Sequence, residues 1–292
     1  VEKIKFAIQK SGRLTDKSLG LLRDCGYDIE DPSRKLLVPC QNFALDIFLL
    51  RDDDIPQYIL DGICDFGIVG QNLLEEKYKE ECEEKKIKVV AKLPFGKCRL
   101  SLAFKTTEGI RDLKDINGKV IATSYPEILR RILGQKNIEV KIKTLSGGVE
   151  IAPIIDMADG IFDIVSTGST LKAHGLQETF ALMESQCVLI SSTKLTPFSS
   201  SFIEGLTKRI KSSLVAKKSS YIMLNAPKSN VEKIIEVLPG GDSPSVLELR
   251  TDKSKVSIHA LTNKEVVWET MEKLKTLGAS NILVMPIEKM ME

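Results

Sequence analysis

Histidine is almost missing from this chain. There are two, His174 and His259, far apart and outside any recognisable motif. A Ser-His-Asp or Cys-His constellation therefore has no support. The six cysteines, Cys25, Cys40, Cys64, Cys82, Cys98 and Cys187, form no Cys-x-x-Cys pair and have no histidine nearby in sequence. That pattern argues against zinc and disulfide frameworks and reads as reduced thiols of a cytosolic protein. No apolar stretch approaches the roughly 18–20 residues of a membrane span. The first apolar run, within Val1–Ile8, is too short for a signal-peptide core and reads as a strand. The expected location is cytoplasmic. Charge of one sign is also lacking: 42 basic residues face 40 acidic ones, a net charge of +2. So even a balance gives no sign of a nucleic-acid surface, which needs clustered, uncompensated cations. Neither an internal repeat nor a low-complexity tract is present.

What remains is an ordinary globular composition, 42% hydrophobic and 28% charged over 292 residues, long enough for two or three domains. Short apolar runs alternate with amphipathic segments. Ile4–Ile8, Leu45–Leu50, Phe66–Val69, Lys88–Leu93, Leu100–Phe104, Val120–Ala122 and Ile138–Ile142 read as strands. Helices are expected around Asp16–Cys25, Ile55–Leu60 and Pro126–Leu133. This alternation marks an α/β protein with mostly parallel sheets. Seams lie near Leu93-Pro94-Phe95-Gly96 and around Met183–Cys187, and Val188-Leu189-Ile190 starts a new strand. The simplest arrangement is a first lobe, residues 1–94 and 186–216, interrupted by a second, 95–185. A cleft between two such lobes is a natural ligand site.

A long helix is expected over Ser199–Ala216. Beyond it, Tyr221–Asn225, Val246–Leu249, Lys255–Leu261 and Ile282–Met285 read as strands, and Val231–Leu238 and Glu265–Leu277 as helices. The order is βαββαβ, that of a ferredoxin-like domain over residues 217–292. The charge run Glu80–Lys86 reads as a solvated surface. Asp52-Asp53-Asp54 reads as a helix cap, and His174 as a helix-end residue.

The segment richest in chemistry is Asp159-Gly160-Ile161-Phe162-Asp163-Ile164-Val165-Ser166-Thr167-Gly168-Ser169-Thr170. A strand, Ile161–Val165, runs into a turn of small hydroxyl residues, and a helix is expected from Ser169 or Thr170. Hydroxyls donate to phosphate oxygens, and a glycine lets backbone N–H groups approach an anion. A helix N-terminus adds unpaired donors. The alternative is an ordinary Ser/Thr cap after a strand.

This segment resembles a reduced 5-phosphoribosyl-1-pyrophosphate (PRPP) motif. With Gly147-Gly148-Val149-Glu150-Ile151-Ala152-Pro153 before it and Gly175-Leu176 after it, it is similar to the ATP phosphoribosyltransferases of histidine biosynthesis. Ile8-Gln9-Lys10-Ser11-Gly12-Arg13-Leu14, Arg51-Asp52-Asp53-Asp54-Ile55-Pro56, Asp65-Phe66-Gly67-Ile68-Val69-Gly70, Cys98-Arg99-Leu100-Ser101 and Ile121-Ala122-Thr123-Ser124-Tyr125-Pro126 extend the resemblance in order. Trp268–Leu274 and Pro286–Met290 resemble the long form. Gly148 and Gln71 depart from it, where serine and an acidic residue are usual.

The resemblance implies a two-lobe core of the type II periplasmic-binding-protein kind, followed by a ferredoxin-like regulatory domain. It implies transfer of the phosphoribosyl group of PRPP to N1 of the ATP adenine, releasing pyrophosphate. The site residues it implies are Ser166, Thr167, Gly168, Ser169 and Thr170 on the 5-phosphate, and Asp159 and Asp163 on the ribose hydroxyls. Glu150 and Asp163 would serve Mg²⁺, and Lys10, Arg13 and Arg99 would form a cationic cluster. Arg13, Asp65, Gly67 and Gly70 would contact ATP. Histidine as inhibitor would meet Gly241, Ser245, Leu261 and Asn281, in a homo-oligomer ranging from dimer to hexamer. A solute-binding protein and a phosphoribosyltransferase for another base stay open at this point.

Overall fold

The computed structural model describes residues 2–32, 35–238, 244–263 and 267–290. By internal contacts the chain forms two units, Val1–Arg23 with Tyr27–Ser200, and Asp24–Gly26 with Ser201–Glu292.

The first unit holds two sheets. Strands β1 (Ile4–Gln9), β2 (Leu37–Pro39), β3 (Leu45–Leu50), β4 (Phe66–Gly70) and β5 (Ile87–Lys92) join the returning β11 (Cys187–Ser192) in the order β2-β3-β1-β4-β11-β5. Strands β6 (Cys98–Lys105), β7 (Val120–Thr123), β8 (Lys141–Thr144), β9 (Gly160–Val165) and β10 (Leu176–Ser185) form the second, in the order β10-β6-β9-β7-β8. The chain changes sheet at Leu93–Lys97 and again at Gln186, within the two seams expected from sequence. In the first sheet β1, β3 and β4 are parallel. Every residue of β11 is buried, as a central strand covered on both faces requires.

Helices fill the connections: α1 (Arg13–Asp24), α2 (Ile55–Leu60), α3 (Gln71–Lys77), α4 (Lys79–Glu83), α5 (Pro126–Gly134) and α6 (Ser169–Ala173). Ile55 and Ile59 of α2 pack with Ala7, Val69, Val188 and Ile190 under the first sheet. Ile128, Leu129 and Leu133 of α5 pack with Leu102, Phe104, Ile121 and Phe162 under the second.

Several expectations shift. The strand expected at Ile138–Ile142 starts only at Lys141. Ile138 is spent on the core after α5, its N–H donating to the Leu133 carbonyl at 3.1 Å. The ten-residue β10 was not expected, because its polar alternation suits an edge strand and it carries two register shifts. Asp52–Asp54 forms a 3₁₀ turn, and no side chain caps α2. Asp53 instead pairs with Lys77 at 2.8 Å. All six cysteines are free thiols. Burial pushes Cys64 and Cys187 up to about 12 and Cys25 up to about 11, which leaves these three little thiolate at neutral pH.

The second unit contains most of α7 (Pro197–Lys217), followed by β12 (Ser219–Pro227), α8 (Val231–Val237), β13 (Ser245–Glu248), β14 (Lys255–Asn263), α9 (Val267–Thr276) and β15 (Ser280–Pro286). Contacts group the helix with this unit from Ser201 onward, whereas the sequence reading kept residues up to 216 with the first lobe. The sheet order is β13-β14-β12-β15, antiparallel throughout, the ferredoxin-like arrangement. One face packs Ile222, Leu224, Ile258 and Ala260 against Ile234 of α8 and Leu274 of α9. No helix among the described residues is long and apolar enough to cross a membrane.

Candidate active site

In the first sheet, β1, β3 and β4 end at one edge, at Gln9, Leu50 and Gly70. The Lys10 N–H donates to the Leu50 carbonyl there at 2.7 Å. In the second sheet, β7, β8 and β9 are parallel and end at Thr123, Thr144 and Val165. Strand β6 runs the other way, so Arg99 starts opposite Val165. Strand β10 ends at the same edge, with Ser185 opposite Cys98. The ends of parallel strands are where open α/β sheets hold ligands. Here two such edges share a cleft of about 410 Å³ lined by Gln71, Lys92, Lys97, Arg99, Ser166 and Glu184 among others.

The hydroxyl loop leaves β9 at this edge. Residues 166–168 belong neither to the strand nor to α6, so their amides are outside both hydrogen-bond ladders. Gly168 has φ +77° and precedes α6, a conformation that a Cβ makes costly. The Thr167 and Ser169 hydroxyls lie 3.0 Å apart, and Ser166, Thr167, Ser169 and Thr170 are exposed. Helix α6 has only five residues, so the dipole contribution expected from sequence is that of little more than one turn. The loop must rely on local N–H and hydroxyl donors. His174 follows α6, with Nδ1 2.8 Å from the Thr170 carbonyl.

Asp163 shares a face of β9 with Ile161 and Val165 and is half-buried. Burial chiefly, then the nearby Glu150 carboxylate, pushes its carboxyl above the ordinary range, while the Ile164 N–H pulls the other way. Glu150 sits in a 3₁₀ turn that Gly148 opens at φ +61°. Among the described residues no group of three or more His, Cys, Asp or Glu could hold a metal. The Glu150–Asp163 pair is thus a two-carboxylate set.

Arg99 does not stand free in the cleft. Its guanidinium is paired with both carboxylate oxygens of Glu178, which also accepts from the Ser101 hydroxyl at 2.8 Å. A further N–H donates to the Ser166 carbonyl at 3.3 Å. Arg99 therefore braces the start of the loop. The unpaired cations are elsewhere: no ion-pair partner is found among the described residues for Lys10, Lys92 or Lys97. Lys92 and Lys97 were missed from sequence because each is an ordinary surface lysine until the strand ends bring them to the cleft. Arg13 begins α1, three residues beyond Lys10, and its side chain lies outside the described residues.

Three expected site residues belong elsewhere. Asp159 precedes β9, roughly 23 Å of extended chain from Ser166, at the opposite edge. Its carboxylate accepts from the Val120 N–H at 2.6 Å. Asp65 precedes β4 at the far edge of the first sheet. It accepts from the Lys5 N–H at 2.8 Å and from the Ser199 hydroxyl at 3.2 Å. Both aspartates are strand-start anchors. Gly67 lies within the buried β4, where a Cβ would come 2.6 Å from Ile55 Cγ2. It serves packing. Gly70 does reach the cleft edge, but a Cβ there would meet Asn72 Oδ1 at 2.5 Å, so its bareness admits that side chain.

In the second unit, Gly241 lies outside the described residues. Ser245 faces His259 across β13 and β14, and Leu261 is two residues along. Ser245, Leu261 and Asn281 do not form one small-ligand pocket within a chain. Ser245 and Asn281 lie on the two edge strands, three strand spacings or roughly 14 Å apart. Asn281 has φ +51° at a register shift of β15, a backbone role asparagine tolerates. Sequence reading missed His259. It sits on the sheet face away from the helices, with Nδ1 2.7 Å from the Tyr221 hydroxyl and Nε2 3.1 Å from Ser257 Oγ.

Residues 51–212 match the family described as ATP phosphoribosyltransferase, and residues 216–289 match HisG, C-terminal domain. The structure resembles the ATP phosphoribosyl transferase (HisG:HisZ) complex from Thermotoga maritima, with a TM-score of 0.57 and 30% identity, over 71% of this chain and 98% of that one. It also resembles Tv2483 bound to L-arginine, with a TM-score of 0.50 and 10% identity over 74% of this chain and 86% of that one, a likeness of fold alone. The shared fold is the α/β core of two sheets described above. The chain belongs to the ATP phosphoribosyltransferase family in its long form, and it transfers the phosphoribosyl group of PRPP to N1 of the ATP adenine with release of pyrophosphate, the first step of L-histidine biosynthesis.

Proposed function

We propose that the two sheet edges divide the substrates between them. Ser166, Thr167, Gly168, Ser169 and Thr170 hold the PRPP 5-phosphate through hydroxyl and backbone donors. Asp163 accepts from the ribose hydroxyls. Lys10 and Arg13, just beyond β1, with Lys92 at the end of β5 and Lys97 at the end of the crossover, meet the polyphosphate charge of ATP and of the leaving group. Arg99 keeps the loop in place through Ser166. The reaction needs no covalent nucleophile, because the leaving group is already a stable anion; positioning and charge stabilisation suffice. The observation that carries this reading is the hydroxyl loop opening at an edge whose cleft also includes Gln71 and Lys92 of the other sheet.

Phosphoribosyltransferases of this family generally need a divalent metal. Glu150 and Asp163 fit Mg²⁺, which takes one or two carboxylates and completes its shell with phosphate oxygens and water. When bound, Mg²⁺ supplies positive charge to the pyrophosphate. Glu150 and Asp163 hold the ribose and orient the sugar C1′ toward the adenine.

The division into two catalytic lobes and a regulatory domain is supported by the separate sheets. For the regulatory domain we propose histidine as the inhibitor and a homo-oligomer, from dimer to hexamer, as the working assembly. The open face bearing Ser245, Tyr221, His259 and Leu261 supports a polar ligand there. A cytoplasmic location accords with the reaction. The test is steady-state turnover of ATP, PRPP and Mg²⁺, followed by product absorbance. Thr167→Ala should raise the PRPP KM on the order of ten-fold and leave the ATP KM in place. An unchanged PRPP KM in folded protein would remove the loop from the site. Histidine added to wild type should inhibit; no inhibition and no change of assembly would refute the regulatory part.

A further inference from the structure

Helix α5 starts without a cap of its own. Tyr125 holds the N-cap position, provides no side-chain acceptor, and is followed by Pro126. The acceptor comes from the other sheet's layer. Glu76 of α3 takes the Glu127 N–H on one carboxylate oxygen and the Ile128 N–H on the other, each at 2.9 Å. A carboxylate there satisfies first-turn donors and meets the positive end of the helix. Two more contacts join the same helices. Arg131 donates to the Glu75 carboxylate at 2.7 Å and to its carbonyl at 3.3 Å. Asn72 Nδ2 donates to the Tyr125 hydroxyl at 3.2 Å. Asn72 is in turn fixed by Ser185 at the crossover, its N–H donating to Ser185 Oγ at 3.0 Å and its Oδ1 accepting from that hydroxyl at 3.0 Å.

Both helices begin at the cleft. Helix α3 follows the end of β4, and α5 follows the end of β7. Thr123 pairs with Phe162, so Ser124 and Tyr125 lie level with Asp163 and Ile164. The contact between α3 and α5 therefore joins one cleft edge to the strand that carries the phosphate loop.

We propose that Glu76 is a positioning residue for phosphoribosyl transfer: by capping α5 from across the cleft, it sets the separation of the two edges and seats Tyr125 beside Asp163. This rests on the reading of Asp163 and the loop as the ribose-phosphate site. The cap acts on the sugar half of the reaction, because α5 belongs to the sheet that holds the sugar.

The test uses full-length Glu76→Ala, Glu76→Gln and Arg131→Ala. Amide exchange is followed by mass spectrometry over residues 124–134, with the PRPP and ATP KM, kcat and thermal midpoint measured in parallel. Glu76→Ala should speed exchange at the start of α5 and raise the PRPP KM on the order of ten-fold, with a smaller change in the ATP KM. Glu76→Gln keeps an acceptor for one amide and should fall between. Arg131→Ala loosens the same helix pair without uncapping it, so it should lower the midpoint and leave the PRPP KM close to wild type. Unchanged exchange in Glu76→Ala overturns the cap. Faster exchange with unchanged kinetics overturns the positioning role. An equal rise in PRPP KM in Arg131→Ala also overturns it, since general loosening would then suffice. A failure of the loop reading is separate: Thr167→Ala would leave the PRPP KM unchanged whatever α5 does.

Discussion

Strand β9 has an aspartate before it and an aspartate near its end, and the two have opposite occupations. Asp159 accepts a backbone N–H from Val120 and pins two strands together. Asp163 is close to the cleft edge with Glu150 for a neighbour. The contrast extends to the whole unit. The edge where the parallel strands begin is tied down by short hydrogen bonds, as at Asp65. The edge where they end leaves amides, hydroxyls and lysines unspent. Strand direction makes this difference. Carbonyl and amide groups are paired along the ladders, and the chain leaves each parallel strand at the same end, where its loops collect. On the proposed division of the substrates, one edge serves stability and the other ligand binding, and substitutions at the two should give opposite signatures.

The largest effect is expected at the ligand edge. Gly168→Val puts a branched side chain at φ +77° and crowds the amides around it. Catalytic efficiency with PRPP should fall on the order of 100-fold, measured by initial rates, while the thermal midpoint changes modestly. A large loss of stability with normal PRPP kinetics would reverse the contrast. Next is the core between the edges. Gly67→Val drives a side chain into Ile55 and should cost about 3 kcal/mol of unfolding free energy by denaturant titration. Asp65→Ala strands the Lys5 N–H and should cost about 2 kcal/mol, with both KM values near wild type. A raised ATP KM with intact stability would return Asp65 to the nucleotide site. The smallest effect concerns Arg99. Its pairing holds the Glu178 carboxyl below its usual range. The folded value is depressed, so this stabilisation is present above the unfolded value of 4.5 and is lost as pH falls through the folded value. At a partly exposed pair it is worth under about 1 kcal/mol. Comparing wild type with Arg99→Ala in stability from neutral pH to pH 3 should show the gap closing toward acid.

Much of this was legible in the chain itself. Apolar runs placed Leu45–Leu50 and Ile55–Leu60 without error, since period and length agree there. The small-residue segment Ser166–Thr170 announced a turn with exposed donors. Gly168 could be singled out because a residue without a Cβ lets backbone N–H groups approach an anion; its positive φ came with the structure. Other features were hidden by their lack of local pattern. Strand β10 alternates polar and apolar residues irregularly because it is a sheet edge with two register shifts. Lys92 and Lys97 look like any surface lysines. Glu76 sits in a charged stretch with no sign that it caps a helix 51 residues away.

The sequence by itself determined most of the strands and helices, the small-residue turn and the family, because these depend on periodicity, backbone preference and ordered motifs. Only the tertiary structure decided which end of each strand faces the cleft. That choice gave Asp65, Asp159 and Gly67 structural contacts, made Arg99 a brace, and brought Lys92 and Lys97 to the cleft edge. The physical reason is distance: six residues of strand separate neighbours in sequence by about 20 Å, while parallel pairing brings residues far apart in the chain to the same edge.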